Sequence, residues 1–572
     1  KLLIKKTYII FLFFIIILSE SLVNARENNI EYNKRDISNY FSGIISINQD
    51  YNNKEAFKYL NNIKSIHNIH SQYNIEFLRT LVLIEKFKKA NDFSKKVWSE
   101  NELFFEADLL LGLNSFIKRD YKNAEKYFER LNKITQYNFI FDNFIGNVLI
   151  AWVKASQGKE KESYQFLEKV PNIYNQVTRT QNIFLQCYFD NEDTQKSLEE
   201  LIGNTDYNFS RYNFFLINYL LSKNKIDEAK KIIKKSRNEY KSNLLLKQTE
   251  FFFKNNKNEK IINFFDCKNP KDSLAEFFYV IANLYSSEEE YRISNFYLKI
   301  SLYLNSKFLS NRALLAENLY FQNKKKESKK IYYSIKSIGS AYSWHGSKNI
   351  ATILQDEKGK KFSIDSIQKD FNLLSNPTFE HYYELANFYK ENEYYEESIK
   401  YYSLALKKIN ANHYLLPKIF TRRGTSFERL GDWKNAEKDL LESLKILPDQ
   451  AHVLNYLAYS WVDKGIKLDE GLEMLKKATE LKKNDGYIID SLGWAYYAKK
   501  NYIKAKFFLQ KAVELLPSDP IINDHYADAL WMLNKKVQAR YIWEGILKSN
   551  EAEEKLKKTI KEKVIFGINE QS

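Results

Sequence analysis

Leu492-Gly493-Trp494-Ala495-Tyr496, followed by Ala505, Leu509, Ala512 and Pro517, is the stretch on which the fold turns. Counted from Gly493, Tyr496 falls at +3, Ala505 at +12, Leu509 at +16, Ala512 at +19 and Pro517 at +24. The same ladder starts again at Gly424, with Phe427, Ala436, Leu440, Ser443 and Pro448. It starts at Ala386 with Tyr389, Ser398, Tyr402 and Ala405, and at Ala527 with Leu530, Ala539, Trp543 and Ile546. Far upstream, Gly112 is followed by Ala124 and Phe128. The spacing fits two antiparallel helices joined by a short turn such as Lys499-Lys500-Asn501. Small residues let the backbones approach and large ones fill the space beside them. A glycine inside a helix costs ~1 kcal/mol relative to alanine, so close packing must return more. Pro448 and Pro517 end second helices, which proline cannot continue.

Composition agrees. The chain has 572 residues, with 16 glycines and 7 prolines. Sheet-rich and doubly wound folds need turn and phosphate-loop glycines at short intervals, so this scarcity argues for an all-α chain. Hydrophobic residues at 44 % supply ample core and exclude simple disorder. The net charge of +16 is a mild bias over this length. Its densest cluster, Lys324-Lys325-Lys326-Glu327-Ser328-Lys329-Lys330, reads as a solvated face rather than a nucleic-acid patch, because no aromatic-interleaved basic motif accompanies it. The two cysteines, Cys187 and Cys267, are too few for a disulfide framework or a zinc site, and their scarcity suits an oxidising compartment.

A period of 34 residues with this ladder identifies tetratricopeptide repeats, and the expected fold is an α-solenoid of helix-turn-helix units. Residues 377–547 carry the well-formed repeats. Residues 26–376 hold degenerate copies, in which Ala229, Ser294 and Ser328 stand where Ala505 does. One unit has an extra turn residue, so Gly471 lies 13 after Ala458. The stretches 178–210, 240–272 and 335–376 resist registration. Residues 548–572 read as a charged capping helix and tail.

The amino terminus predicts export. Lys1, Lys5 and Lys6 precede an apolar run from Tyr8 to Leu18, and Val23-Asn24-Ala25 follows. This predicts a signal peptide over residues 1–25, cut after Ala25. The run is too short to cross a bilayer unaided. No cysteine stands near the cut, so a lipid anchor is not expected. The mature chain is read as exported and soluble in the periplasm or cell envelope, with peripheral attachment to a membrane left open.

Catalytic signatures are missing: no Walker loop, HExxH, GxSxG or CxxC occurs. His67 and His70 lack a carboxylate at ligand spacing and read as surface residues. No cofactor, metal or nucleic acid is expected. The first helices of the last repeats instead project Tyr459, Asp463, Tyr487, Asp490, Trp494, Tyr497, Asp524, Asp528 and Trp531 onto one face. Aromatic residues anchor interfaces, and aspartates attract lysine or arginine. The expected partner is a basic or neutral polypeptide segment.

Residues 455–463, Asp485 to Trp494 and Ile522-Asn523-Asp524-His525 resemble exported multi-repeat tetratricopeptide proteins of bacteria, especially the alphaproteobacterial type. The resemblance is close over residues 420–547 and implies a non-enzymatic envelope protein. Relatives include lipoprotein adaptors that bind carboxyl-terminal processing proteases, and others that support envelope assembly. The expected function is a scaffold or adaptor binding a partner in its concave groove. A structural subunit of an envelope complex and a hydrolase with an unrecognised site remain the alternatives.

Overall fold

The ladder residues are the places where paired helices touch. In the computed structural model, which describes residues 33–49, 52–63, 70–134, 143–204, 208–240 and 242–568, Ala505, Leu509 and Ala512 are fully buried. So are Ala436, Leu440 and Ser443 in an earlier repeat, and Ala124 and Phe128 far upstream. The signal-peptide segment lies outside the described residues, as does His67. Among the described residues the structure is 31 α-helices with no strand. Most of them pair into hairpins along the chain, and Glu554–Phe566 follows the last hairpin.

Small residues do what the spacing requires. A Cβ at Gly493 would come 2.6 Å from Leu509 Cγ, and one at Gly112 would come 2.3 Å from Phe128 Cε1. Gly493→Val should therefore cost about 1–3 kcal/mol through overpacking. An unchanged thermal unfolding midpoint in that variant would contradict the register. At two of the serines that replace alanine at +12, the hydroxyl donates across the hairpin: Ser294 Oγ to the Ala282 carbonyl at 2.7 Å, and Ser328 Oγ to the Ala316 carbonyl at 2.7 Å; Ser398 Oγ donates instead to the Tyr395 carbonyl at 2.9 Å. These hydroxyls are buried, but each brings its own acceptor, so the substitution is tolerated.

The turns are equally regular. The residue seven after the ladder's start is left-handed: Arg119, Glu393, Gly431, Lys500 and Asn534 all have positive φ. The longer turn before Gly471 uses two such residues, Gly465 and Lys467.

The chain divides into two units, Lys1–Ile353 and Leu354–Ser572. In the first, the hairpin made by Pro270–Ser287 and Tyr291–Leu304 packs against the earlier first helices Ser71–Leu83, Ile145–Ser156 and Asn175–Tyr188. The face those helices would offer a partner is thus partly covered by the chain itself. Helices buried on two sides must be apolar all round. Ile145–Ala155 is accordingly buried without interruption and apolar apart from Asn147 and Lys154, the latter paired with Glu125 at 2.6 Å. Buried ion pairs fix the closure: Arg292 meets Glu76 at 2.6 Å, and Arg211 meets Glu276 at 2.7 Å.

The cysteines require a correction. Cys187, in the helix Asn175–Tyr188, and Cys267, in the loop before Pro270, form a disulfide with Cα atoms 5.9 Å apart. Their 80-residue separation hid this, because the two segments meet only through tertiary packing between different hairpins.

Candidate functional site

In the second unit, three successive first helices carry the predicted face: Ala451–Asp463, Gly486–Ala498 and Pro520–Met532. The structure brings part of the predicted set together and seals much of it. Asp490, Asp524 and Asp528 are buried. Asp490 accepts from His525 Nδ1, with both carboxylate oxygens at 3.0 Å. Burial works to lower the His525 pKa, but Asp490, Asp524 and Asp528 outweigh it and the net shift is upward, favouring the imidazolium. Trp494 lies flat on His525 at 4.1 Å, and Tyr497 stacks on Trp494 at 4.6 Å.

Asp524 and Asp528 share one lysine. Lys563, from the tail helix Glu554–Phe566, donates to Asp524 at 2.8 Å and to Asp528 at 2.8 Å. Trp543 Nε1 donates to the same Asp524 oxygen at 3.0 Å. Burial and the neighbouring Asp524 push Asp528 up to about 7, against the pull of Lys563. Trp531 is held between Trp543 at 5.5 Å and the chain at Gly567, where a Cβ would come 2.0 Å from the indole. Gly567 also has φ 73°, so glycine is needed there twice over.

Tyr459 is half-buried, and its hydroxyl is pushed up to about 12 by burial, with Asp463 and Asp490 adding to the shift. Asp463 is exposed, and Tyr487 is 58 % exposed. Of the predicted set, Asp463 and Tyr487 are exposed, and Tyr459, Trp494 and Tyr497 are half-buried. Asp490, Asp524, Asp528 and Trp531 support the predicted face from beneath. Two members of the network escaped the sequence reading. His525 stood beside Asp524 but was not given a role. Lys563 is one of several lysines on the tail helix, and periodicity alone did not say which would turn inward.

Removing that lysine tests the arrangement. Lys563→Ala should cost about 2 kcal/mol, less than a fully sealed ion pair, because Asp528 can escape its charge by taking a proton. A carboxyl whose pKa is raised on folding stabilises while protonated and loses that contribution as pH rises through the folded value. The penalty should thus be largest above pH 7 and shrink on acidification. Amide exchange over Glu554–Phe566 at two pH values checks this.

Other buried carboxylates are also engaged. Glu106 meets Arg79 at 2.7 Å beside a cavity of only about 20 Å³. Asp272, which burial raises to about 6, accepts from the Asp266 N–H at 3.0 Å and from Asn269 Nδ2 at 2.7 Å. His70 caps the helix Ser71–Leu83, accepting the Tyr73 N–H at 3.0 Å. Among the described residues no group of three His, Cys, Asp or Glu is placed to hold a metal ion, and no helix is long and apolar enough to cross a membrane.

Comparison with known proteins meets this geometry at the ladder itself. The tetratricopeptide repeat family matches at residues 380–407 and 489–519, two of the hairpins registered above. The chain carries multiple tetratricopeptide repeats. A TPR repeat-containing protein of Pseudomonas aeruginosa, PA4667, is 32 % identical over 94 residues, which is 16 % of this chain and 16 % of that relative. Among solved structures, a tetratricopeptide repeat protein from Parabacteroides merdae is 16 % identical with a TM-score of 0.34, covering 39 % of this chain and 85 % of its own. MamA from Desulfovibrio magneticus is 17 % identical with a TM-score of 0.28, covering 32 % and 98 % respectively.

Proposed function

We propose that this tetratricopeptide chain is a non-enzymatic scaffold or adaptor of the bacterial cell envelope, binding a basic or neutral polypeptide segment on the face of its last repeats. The observation that carries the reading is Lys563. A lysine from the chain's own tail already occupies the acidic end of that face, against the Trp543 ring. A partner lysine or arginine would meet a carboxylate at Asp463, at the end of its first helix beside Tyr459. The disulfide supports export, since such bonds persist in oxidising compartments.

Trp494→Ala combined with Tyr487→Ala should weaken partner capture by ~2 kcal/mol or more. Asp463→Lys should weaken it in a salt-dependent way. Quantitative mass spectrometry of proteins captured from native envelopes, with wild type and variants side by side, reads both. Equal capture by folded variants would overturn the site.

A second observation favours the structural-subunit reading. Ile503 and Phe507 in one repeat, and Val537 and Tyr541 at the same positions of the next, are 65–83 % exposed. Four large apolar side chains in register on second helices are the kind of patch that marks an interaction surface. Replacing all four with serine should release a stoichiometric partner if that face, rather than the first-helix face, carries assembly.

A further inference from the structure

A cleft of about 770 Å³ opens in the first unit. Its walls come from the start of the helix Asn53–Leu60, the turn at residues 83–85, the helix Tyr291–Leu304 and the hairpin Leu309–Phe321 with Lys325–Ile335. Six lysines line it, Lys54, Lys299, Lys324, Lys325, Lys326 and Lys330, against two glutamates, Glu85 and Glu327. Glu85 is taken by Lys299. The cleft is therefore strongly positive, and its floor is aliphatic: Leu83, Leu315, Leu319 and Ile331.

Three of the lysines cluster at the start of one helix, on the wall of the cleft. Lys324 is the N-cap of the helix Lys325–Ile335, and Lys325 and Lys326 open its first turn. The helix dipole is positive at that end, so aspartate or glutamate stabilises there and lysine does not. A lysine cap also has no acceptor for the first-turn N–H groups, and Lys324 makes no side-chain capping bond. Burial pushes Lys324 down to about 8; Glu327 pulls it back up and Arg292 pushes it further down. The local cost is electrostatic, and an anion in the cleft would relieve it.

We infer that this cleft binds an acidic polypeptide segment, with its carboxylates on Lys54, Lys324, Lys326 and Lys330 and its apolar side chains on Leu315, Leu319 and Ile331. A polypeptide fits better than a nucleic acid. No aromatic ring lines the cleft to stack a base, whereas the aliphatic floor matches leucine-like side chains between acidic ones. The solvated-face reading of Lys324 to Lys330 is revised accordingly: Lys324 and Lys325 are half-buried in the cleft wall, and only part of the run faces water.

The test uses the full chain and a short fluorescein-labelled peptide alternating glutamate with leucine, followed by fluorescence anisotropy at low salt. Wild type should bind it, with affinity falling as salt rises. Lys324→Glu, Lys326→Glu and Lys330→Glu together should weaken binding about tenfold or more, and the arginine triple variant should retain it. Should the reversal disturb folding, Lys326→Gln with Lys330→Gln changes only exposed side chains and should still weaken binding. Unchanged affinity in a variant with native circular dichroism would overturn the proposal. So would tighter binding of oligothymidylate or anionic vesicles than of the peptide, or equal binding of a glutamate–serine peptide, which would deny the apolar floor a role.

Discussion

Arg211→Ala should destabilise the first unit by about 3–5 kcal/mol. The guanidinium donates through Nε and Nη2 to the two oxygens of Glu276, both at 2.7 Å, and through Nη1 to Ser310 Oγ at 2.9 Å. Its carbon lies 3.9 Å from the centre of the Tyr279 ring. Glu276 is 0 % exposed. Removing one partner of such a pair leaves the other charged and dry, whereas replacing both with apolar residues can be close to neutral. Arg211→Met with Glu276→Leu should thus recover most of the loss. Arg211→Lys should recover little, because lysine offers neither the two-pronged geometry nor the flat stack. Burial already raises the Glu276 pKa despite Arg211, and without the arginine it should rise further. A carboxyl raised on folding is cheapest when protonated, so the Arg211→Ala penalty should shrink as pH falls toward the ordinary glutamate value. Urea unfolding followed by circular dichroism, with amide exchange over Pro270–Ser287, reads both effects. A penalty that stays constant with pH would place the destabilisation elsewhere.

What the sequence disclosed and what it withheld follow the same physical line. Contacts within a hairpin have a fixed spacing, so Gly493, Ala505, Leu509 and Ala512 announce themselves, and so does Ser294, because serine is small enough for alanine's place. Registration failed where that spacing changes. Around residues 178–210 the buried ladder Thr194, Leu198 and Leu201 starts one residue early relative to Ile183, a large residue where glycine or alanine usually stands. Around 240–272 the second helix, Asn258–Ile262, is a little over one turn long and shows no periodicity. Near 335–376 the polar turn shrinks to Gly359, at φ 91°. Contacts between distant hairpins have no spacing at all. Arg211 with Glu276, and Lys563 with Asp524 and Asp528, are invisible to a reading along the chain. The candidate face was legible as a set of residues on one side of three helices. That three of its four aspartates would be neutralised by His525 and the tail was not.

The disulfide tests the closure of the first unit from its other side. Replacing Cys187 and Cys267 with serine should lower that unit's stability by about 4–5 kcal/mol, the value expected for opening a loop of this length in the unfolded chain. Noncovalent ties remain around it. Lys268 Nζ donates to the Tyr188 carbonyl at 2.8 Å, and Asn218 Nδ2 donates to the Phe265 carbonyl at 3.0 Å and the Ile261 carbonyl at 2.9 Å. The serine variant should therefore still fold, with a lower urea midpoint, and reductant should bring wild type to the same midpoint. If reductant leaves the midpoint unmoved, the bridge contributes nothing. The combination with Arg211→Ala is more informative than either change alone. Both bonds tie the segment from Cys267 to Glu276 onto earlier helices, so once one is gone the other has less ordered structure to hold. The two penalties should fall short of their sum, as expected for residues sharing one packed element. Strict additivity would mean that the disulfide and the buried ion pair stabilise separate parts of the unit, and that the covering hairpin is not one cooperative piece.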